Sequence, residues 1–483
     1  MPTTRLLIAA ILFAAGAAVH AQPAEAQSRV GIQLAAPPDS ASVDSVAALA
    51  EAPGDSVAAD SLATPAAAVL DSIGTGEALV AVTDSVVTPE ILVAPPGADV
   101  SGAQTNLRAA LRGAEPGTII RFAAGTYDIE PDPYVEATCG NCESESTLVQ
   151  ATVGLIVRGS ALRLVGPEEG EAIIRTHAGY GILFEECHNC TLERLTVTAG
   201  ERDTSASATD AAVVVKSGSV TIEGCTLRDN IGDSTTVAKT VVGIAGVAGR
   251  DGGVLTIRNN RIVRNSWDGI ALYRNAQAVI EGNWIDGVDV ARGTRVGGGR
   301  GVGIGATWNA YATVRGNVVR RYWKGIGVFV DAQVTAEENV IEHIATWGVS
   351  LWDAGHGRPS GFFQRNVIFD TGACGASIVR TSDLPPAPGR FVQNIVMKTG
   401  QDPRYDSGEP YCYQMPIAKH AAPQIFSIGG NVLGQNRLGA DLPSNDDLEE
   451  SVFRQRAQPI WDQLARWRVL RETDFWKEVV MKK

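Results

Sequence analysis

Between Ile257 and Leu433 one short pattern recurs: an apolar residue, two spacers, an asparagine, one spacer and a second apolar residue. It reads Ile257/Asn260/Ile262, Ile280/Asn283/Ile285, Val314/Asn317/Val319, Ala336/Asn339/Ile341, Phe363/Asn366/Ile368, Phe391/Asn394/Val396 and Ile428/Asn431/Leu433. Degenerate copies precede it at Leu192/Leu195/Val197 and Ile222/Cys225/Leu227. A fixed offset that survives variable intervening lengths marks a solenoid, because each repeat can bury its apolar face only against its neighbours. The asparagines need no function to explain them. At a tight bend Asn tolerates unusual backbone angles, and its amide can bond the Asn of the next coil.

Upstream of each asparagine a second signature alternates small and apolar residues: Gly269-Ile270-Ala271-Leu272, Gly303-Ile304-Gly305-Ala306, Gly325-Ile326-Gly327-Val328, Gly348-Val349-Ser350-Leu351 and Gly375-Ala376-Ser377-Ile378. Alternation turns Ile270 and Leu272 inward and Ala271 outward. Each coil therefore holds a strand here and another around the asparagine, which makes the chain all-β, a parallel β-helix over residues 96–436.

The flanks differ. Residues 1–21 carry one basic residue, Arg5, then an apolar run from Leu6 to Val19 and small residues up to Ala21. That is the pattern of a secretory signal peptide, too short for a stable membrane span, with a retained anchor as the alternative. An exported protein without membrane insertion is the expectation. Residues 22–95 repeat Asp-Ser pairs, lack aromatic residues and cannot build a core, so a disordered spacer is expected there. Thr105 to Arg112 reads as a short amphipathic helix closing the first coil. The formal charge of −13 excludes nucleic acid, which needs a basic face.

Coils longer than the basal spacing carry insertions, at residues 199–210, 229–241, 287–300 and 398–415 before the glycine strand, and 352–361 and 380–389 after it. Loops at one phase of stacked coils form walls, so the glycine-strand face reads as a groove with two banks. Its floor is small (Ala271, Gly305, Gly327, Ser350, Ser377). Two positions on, Glu185, Lys216, Tyr273, Thr307, Phe329 and Trp352 also point outward, the aromatic ones as flat faces suited to sugar rings or as ordinary packing elements. The following phase collects Glu186, Arg274, Trp308, Asp331, Asp353, His356 and Arg380. Asp331, Asp353 and His356 are candidates for general acid and base work, with Arg380 pairing the carboxylate of an acidic sugar. Arg274, Tyr273, Trp308, Phe329 and Trp352 are the further binding candidates. A solvated coil edge of alternating charge has the same composition.

From about Pro96 to Leu433 the chain resembles the secreted right-handed parallel β-helix superfamily that includes pectate lyases, polygalacturonases and alginate-modifying enzymes. Gly355-His356-Gly357 is similar to the Gly-His-Gly element of polygalacturonases, but that family's Asn-Thr-Asp, paired-Asp and Arg-Ile-Lys motifs are absent, as is the Asp-Pro-His of alginate epimerases. The resemblance implies a polysaccharide partner, bound and, in the enzyme version, cleaved by a lyase or hydrolase route. A non-catalytic adhesion or carbohydrate-binding module is the alternative. No cofactor motif is evident, no metal site is assigned, and calcium stays open.

Cys374 and Cys412 fall at one phase of adjacent coils, which predicts a disulfide between them. The two Cys-x-x-Cys pairs, Cys139/Cys142 and Cys187/Cys190, precede and follow their respective strands, which favours local disulfides or structural thiols over a shared zinc ion. Cys225, at a ladder position, is expected as a buried free thiol. Residues 437–483 read as a helical cap for the final coil, broken in two at Pro459.

Overall fold

The computed structural model describes residues 88–233, 235–236, 242–287, 301–379, 384, 387–402, 416–420, 426–438, 442–443 and 447–482. The signal peptide, nearly all of the spacer, Arg380 and Cys412 therefore lie outside the described residues.

Three long sheets of 12, 11 and 11 strands wrap one core. Each coil contributes one strand to each sheet, as in Ile270–Leu272, Gln277–Glu281 and Trp284–Asp286. The strands pair in parallel from coil to coil, apart from one antiparallel pair at the start of the glycine-strand sheet. This is the right-handed parallel β-helix expected from the repeat. The register is strict: Ile257 lies beside Ile280, Ile280 beside Val314, and so on through Ala336, Phe363, Phe391 and Ile428. A column of like residues at one strand spacing fills the interior without voids.

The asparagine column is a continuous amide ladder. Asn260 Nδ2 donates to Asn283 Oδ1 at 3.0 Å, Asn283 to Asn317 at 2.9 Å, Asn317 to Asn339 at 3.0 Å and Asn339 to Asn366 at 2.9 Å. Each Oδ1 also accepts the preceding coil's backbone N–H, as Asn283 does from Asn260 N at 2.9 Å. The asparagines do not themselves take the left-handed backbone. That conformation falls on the residue before each of them: Asn259, Gly282, Gly316, Glu338, Arg365, Gln393 and Gly430 all have positive φ. Asn is therefore selected for its amide, which satisfies two buried backbone groups per coil. Gly316 has a second reason to be glycine, since a Cβ there would stand 2.1 Å from the Trp467 ring.

At the N-terminal end the ordered chain starts earlier than the composition suggested. Glu90–Val93, inside the residues 22–95 read as a spacer, is a strand that pairs with Ile119–Phe122. The helix Leu107–Gly113, with Asn106 Oδ1 accepting Ala109 N at 3.0 Å, buries Leu107, Ala110 and Leu111 against the first coil.

The C-terminal segment departs from the expected cap. Glu450–Leu464 is one helix with Pro459 inside it, and it lies along the outer face of the second sheet rather than closing the last coil. Phe453, Ile460, Trp461 and Leu464 pack on Val318, Val340, Val367, Ile395 and Val432. Those outward valines and isoleucine need cover, and burying them outweighs the hydrogen bond that Pro459 removes on the helix's exposed side. Glu338, fully buried, ties the segment down by accepting from Arg466 and, at 3.0 Å, from Trp467 Nε1. No helix among the described residues is long and apolar enough to cross a membrane.

Candidate functional site

The glycine-strand sheet carries a cavity of about 850 Å³ on its outer face. Its floor is the column two positions beyond the small residues. Ala271 pairs with Gly305, Gly305 with Gly327 and Gly327 with Ser350, which brings Tyr273, Thr307, Phe329 and Trp352 into line. Gly327 is held small by the aromatic column, since a Cβ there would meet the Phe329 ring at 2.4 Å, whereas one on Gly305 would meet only Val302 at 3.5 Å. Tyr273, Thr307, Phe329 and Trp352 all line the cavity.

One bank was not foreseen as such. Asp132–Glu136 and Val149–Ser160 form an antiparallel hairpin whose connecting loop brings Asn141, Glu143, Ser144 and Thr147 over the cavity. Cys139–Cys142 closes that loop as a local disulfide, and Cys187–Cys190 does the same at a strand junction on the core side. Cys374 is buried, and its expected partner Cys412 lies outside the described residues. Cys225 is a buried free thiol, pushed up to about 12 by burial.

The hairpin is fastened by Arg250, whose side chain is completely buried. Its Nη1 donates to Glu136 Oε1 at 2.7 Å and to Thr209 Oγ1 at 3.0 Å, and its Nη2 donates to the Thr138 carbonyl at 2.8 Å. Lys216 Nζ and Tyr180 Oη also donate to Glu136, at 3.1 and 2.6 Å. Sequence reading missed Arg250 because its coil lacks the Gly-apolar-small-apolar signature. A lone arginine at the Lys216 register position was the available signal.

Of the predicted acid/base set, only His356 lines the cavity. Asp353 is 1% exposed, and its Oδ1 accepts Gly355 N at 3.1 Å within its own turn. Asp331 Oδ1 accepts Asn309 N at 2.7 Å from the preceding coil. Neither is among the cavity-lining residues. His356 does line it, exposed, with Nδ1 held 2.9 Å from the Ala354 carbonyl oxygen and its ring stacked on Trp308 at 6.0 Å and 30°. Arg274 does not reach the floor. Its guanidinium lies 4.6 Å from the Trp308 ring centroid and donates to the Cys142 carbonyl, while desolvation holds it below its ordinary pKa.

Residues 171–293 match a family whose description is Right handed beta helix region. Among solved structures, the β-helix is similar to pectate lyase Pel9A (16% identity over 61% of this chain and 78% of that one, TM-score 0.35). It is similar to the A-module of the Azotobacter vinelandii mannuronan C-5 epimerase AlgE4 (15%, 69% and 83%, TM-score 0.34). It is also similar to PfbA, a surface adhesin of Streptococcus pneumoniae (9%, 63% and 76%, TM-score 0.33). A comparison with curated proteins gave no match. These likenesses assign no chemistry to this β-helix.

One group of three metal-type ligands occurs among the described residues, Glu342, His343 and Asp474. Arg320 already pairs with Glu342 at 3.2 Å and with Asp474 at 3.1 Å, and Glu342 Oε2 accepts Phe475 N at 3.0 Å. The group is an ion-pair latch between the second sheet and the C-terminal segment.

Proposed function

We propose that the protein is an exported glycan-binding β-helix whose cavity on the glycine-strand face takes an uncharged saccharide. The observation that carries this reading is the lining: Trp267, Tyr273, Trp308, Phe329 and Trp352 with Asn141, Ser144, Thr147 and Thr307. Flat apolar rings interleaved with hydroxyl and amide groups suit a sugar, which offers C–H faces and equatorial hydroxyls, and the volume lies within the usual ligand range. Among the described lining residues there is no Lys or Arg, while Glu143 and His356 are present, the Asp210 side chain being buried against Arg202. That balance favours a neutral sugar over a uronate. Export is supported by the signal-like residues 1–21 and by the two disulfides.

A catalytic reading has one observation behind it. His356 sits at the cavity with Nδ1 fixed by Ala354, and no bond to its Nε2 is made by the described residues. It is the proton-transfer candidate of that version.

Isothermal calorimetry against neutral and uronate oligosaccharides, with Trp308→Ala as control, tests the reading. Binding of neutral sugars that the variant loses supports it. No binding to any saccharide by a folded wild-type protein sinks it. Release of reducing ends or unsaturated products, abolished by His356→Ala, would select the enzyme version.

A further inference from the structure

The segment 202–210 supplies Ser207, Ala208 and Thr209 to the cavity wall, and three buried charges hold it from behind. Arg202 and Asp210 form an ion pair with both side chains inaccessible to solvent. Arg202 also donates from Nε to the Val242 carbonyl at 2.8 Å and from Nη2 to the Ser205 carbonyl at 3.0 Å. Asp203 N donates to Asp210 Oδ2 at 2.7 Å. Thr152 fills the far side of Asp203, its N donating to Oδ2 at 2.9 Å and its Oγ1 to Oδ1 at 2.8 Å.

Asp203 Oδ2, besides accepting Thr152 N, faces Asp210 Oδ1. A Cβ built on Gly179 would stand 2.1 Å from Asp203 Oδ2 and 2.6 Å from Asp210 Oδ1, so the two carboxyl groups converge on one point in front of that glycine. Asp210 Oδ1 is buried and no described residue donates to it. Two carboxylates against one guanidinium leave one negative charge too many for a place without water. A single proton on Asp210 Oδ1, donated to Asp203 Oδ2, removes that charge and satisfies the orphan oxygen.

We infer that a proton shared between Asp203 and Asp210 is a pH-sensitive pin for this bank of the cavity, whose loss lets residues 202–210 lift and weakens saccharide binding. The link to binding rests on the saccharide reading; the pin itself does not. Burial pushes Asp210 up to about 7 against the pull of Arg202, with Asp203 adding to the rise, and burial raises Asp203 as well. The nearest further cation, Arg250, reaches Thr209 Oγ1 at 3.0 Å but is matched by Glu136 at 2.7 Å. Strand Val149–Ser160 presents neutral Thr152, and Val242 presents a carbonyl. His177, two residues before Gly179, is taken up by Asp128 at 3.4 Å and Glu201 at 3.6 Å. A carboxyl held above its open-state value favours the closed segment at low pH. That advantage drains as pH rises from about 4 towards 7 and is gone above it.

Hydrogen exchange of residues 202–210 in the full chain, corrected for intrinsic rates, reads the pin directly. Wild-type protection is expected to fall roughly tenfold per pH unit between about pH 5 and pH 7, then level off. In Asp203→Asn one carboxylate is gone, Arg202 matches the charge left on Asp210 and no shared proton is left to lose, so protection is lower overall, because Thr152 N competes for the same side-chain atom, but flat with pH. A flat wild-type profile, or the same slope in the variant, overturns the pin. Should the variant not fold, the infrared band of a protonated carboxyl at about pH 6, recorded in Asp268→Asn so that the other buried acid raised to about 7 is silent, decides, and its absence overturns the pin. Calorimetry with a neutral oligosaccharide at both ends of the range separates the two claims. Affinity that falls with protection supports the regulation. Unchanged affinity overturns it. Absence of binding at every pH sinks the saccharide reading and leaves the exchange result to judge the pin.

Discussion

Arg274 and Trp308 come from adjacent coils and meet with the guanidinium 4.6 Å from the indole centroid, while the same guanidinium donates to the Cys142 carbonyl. One side chain thus fixes both an aromatic wall of the cavity and the disulfide-closed loop opposite. Arg274→Ala should weaken saccharide binding about tenfold, the equivalent of ~1.4 kcal/mol and within the cation–π range. Arg274→Lys should recover little, because an ammonium cannot stack and donate as a planar fork does. Calorimetry with unfolding melts as the folding control checks it. Lysine restoring full affinity would show that charge alone matters.

Arg250 is predicted to be the most costly single loss on this face. Arg250→Ala leaves Glu136 buried without its main counter-charge and orphans Thr138 O, a change worth about 3–5 kcal/mol of stability. Urea unfolding measures it, and hydrogen exchange should show the hairpin loop 139–147 released first. A loss under ~1 kcal/mol would mean that Lys216 and Tyr180 already neutralise Glu136.

The amide ladder predicts a gradient. Asn339→Ala takes the acceptor from Asn317 N and Nδ2 and the amide donor from the Val314 carbonyl in the core, at about 1–3 kcal/mol for each group left unpaired, while Asn366 Oδ1 keeps the residue 339 N–H and the Glu337 carbonyl keeps Gly316 N. Asn431→Ala, at the half-buried end of the column, should cost less because water can reach the stranded groups. Equal effects at both sites would argue against burial as the cause.

The latch on the second sheet should respond to pH in a different window from the Asp203–Asp210 pair. Burial works against charge on His343, but the carboxylates of Asp370, Glu342 and Asp474 outweigh it and hold the imidazole above its ordinary value. A raised histidine adds stability that is complete below its unfolded value of about 6.5 and lost as pH rises through the folded value. Melting temperature should therefore fall above about pH 6.5 in the wild type and flatten in His343→Gln. A wild-type curve parallel to the variant's would remove the latch from the account.

Asp331 and Asp353 show what local sequence leaves open at coil edges. In each, one carboxylate oxygen accepts a backbone N–H of a turn, a use indistinguishable in sequence from that of an exposed acid. Pro459 misled in the opposite way, because the apolar outer face that keeps its helix whole belongs to distant strands.

The sequence by itself determined the coil, because a ladder amide and its flanking apolar residues must recur at a fixed offset for every turn to bury what the last one exposed. It also placed the column of Tyr273, Thr307, Phe329 and Trp352 that floors the cavity, since alternation along a strand is local; the small residues expected as the floor do not line it. Only the tertiary structure decided which walls enclose that floor and which charges are free to act. Arg250, Arg274 and the Asp203–Asp210 pair acquire their roles from partners up to 132 residues away, and contacts of that reach are set by how the coils stack rather than by any pattern along the chain.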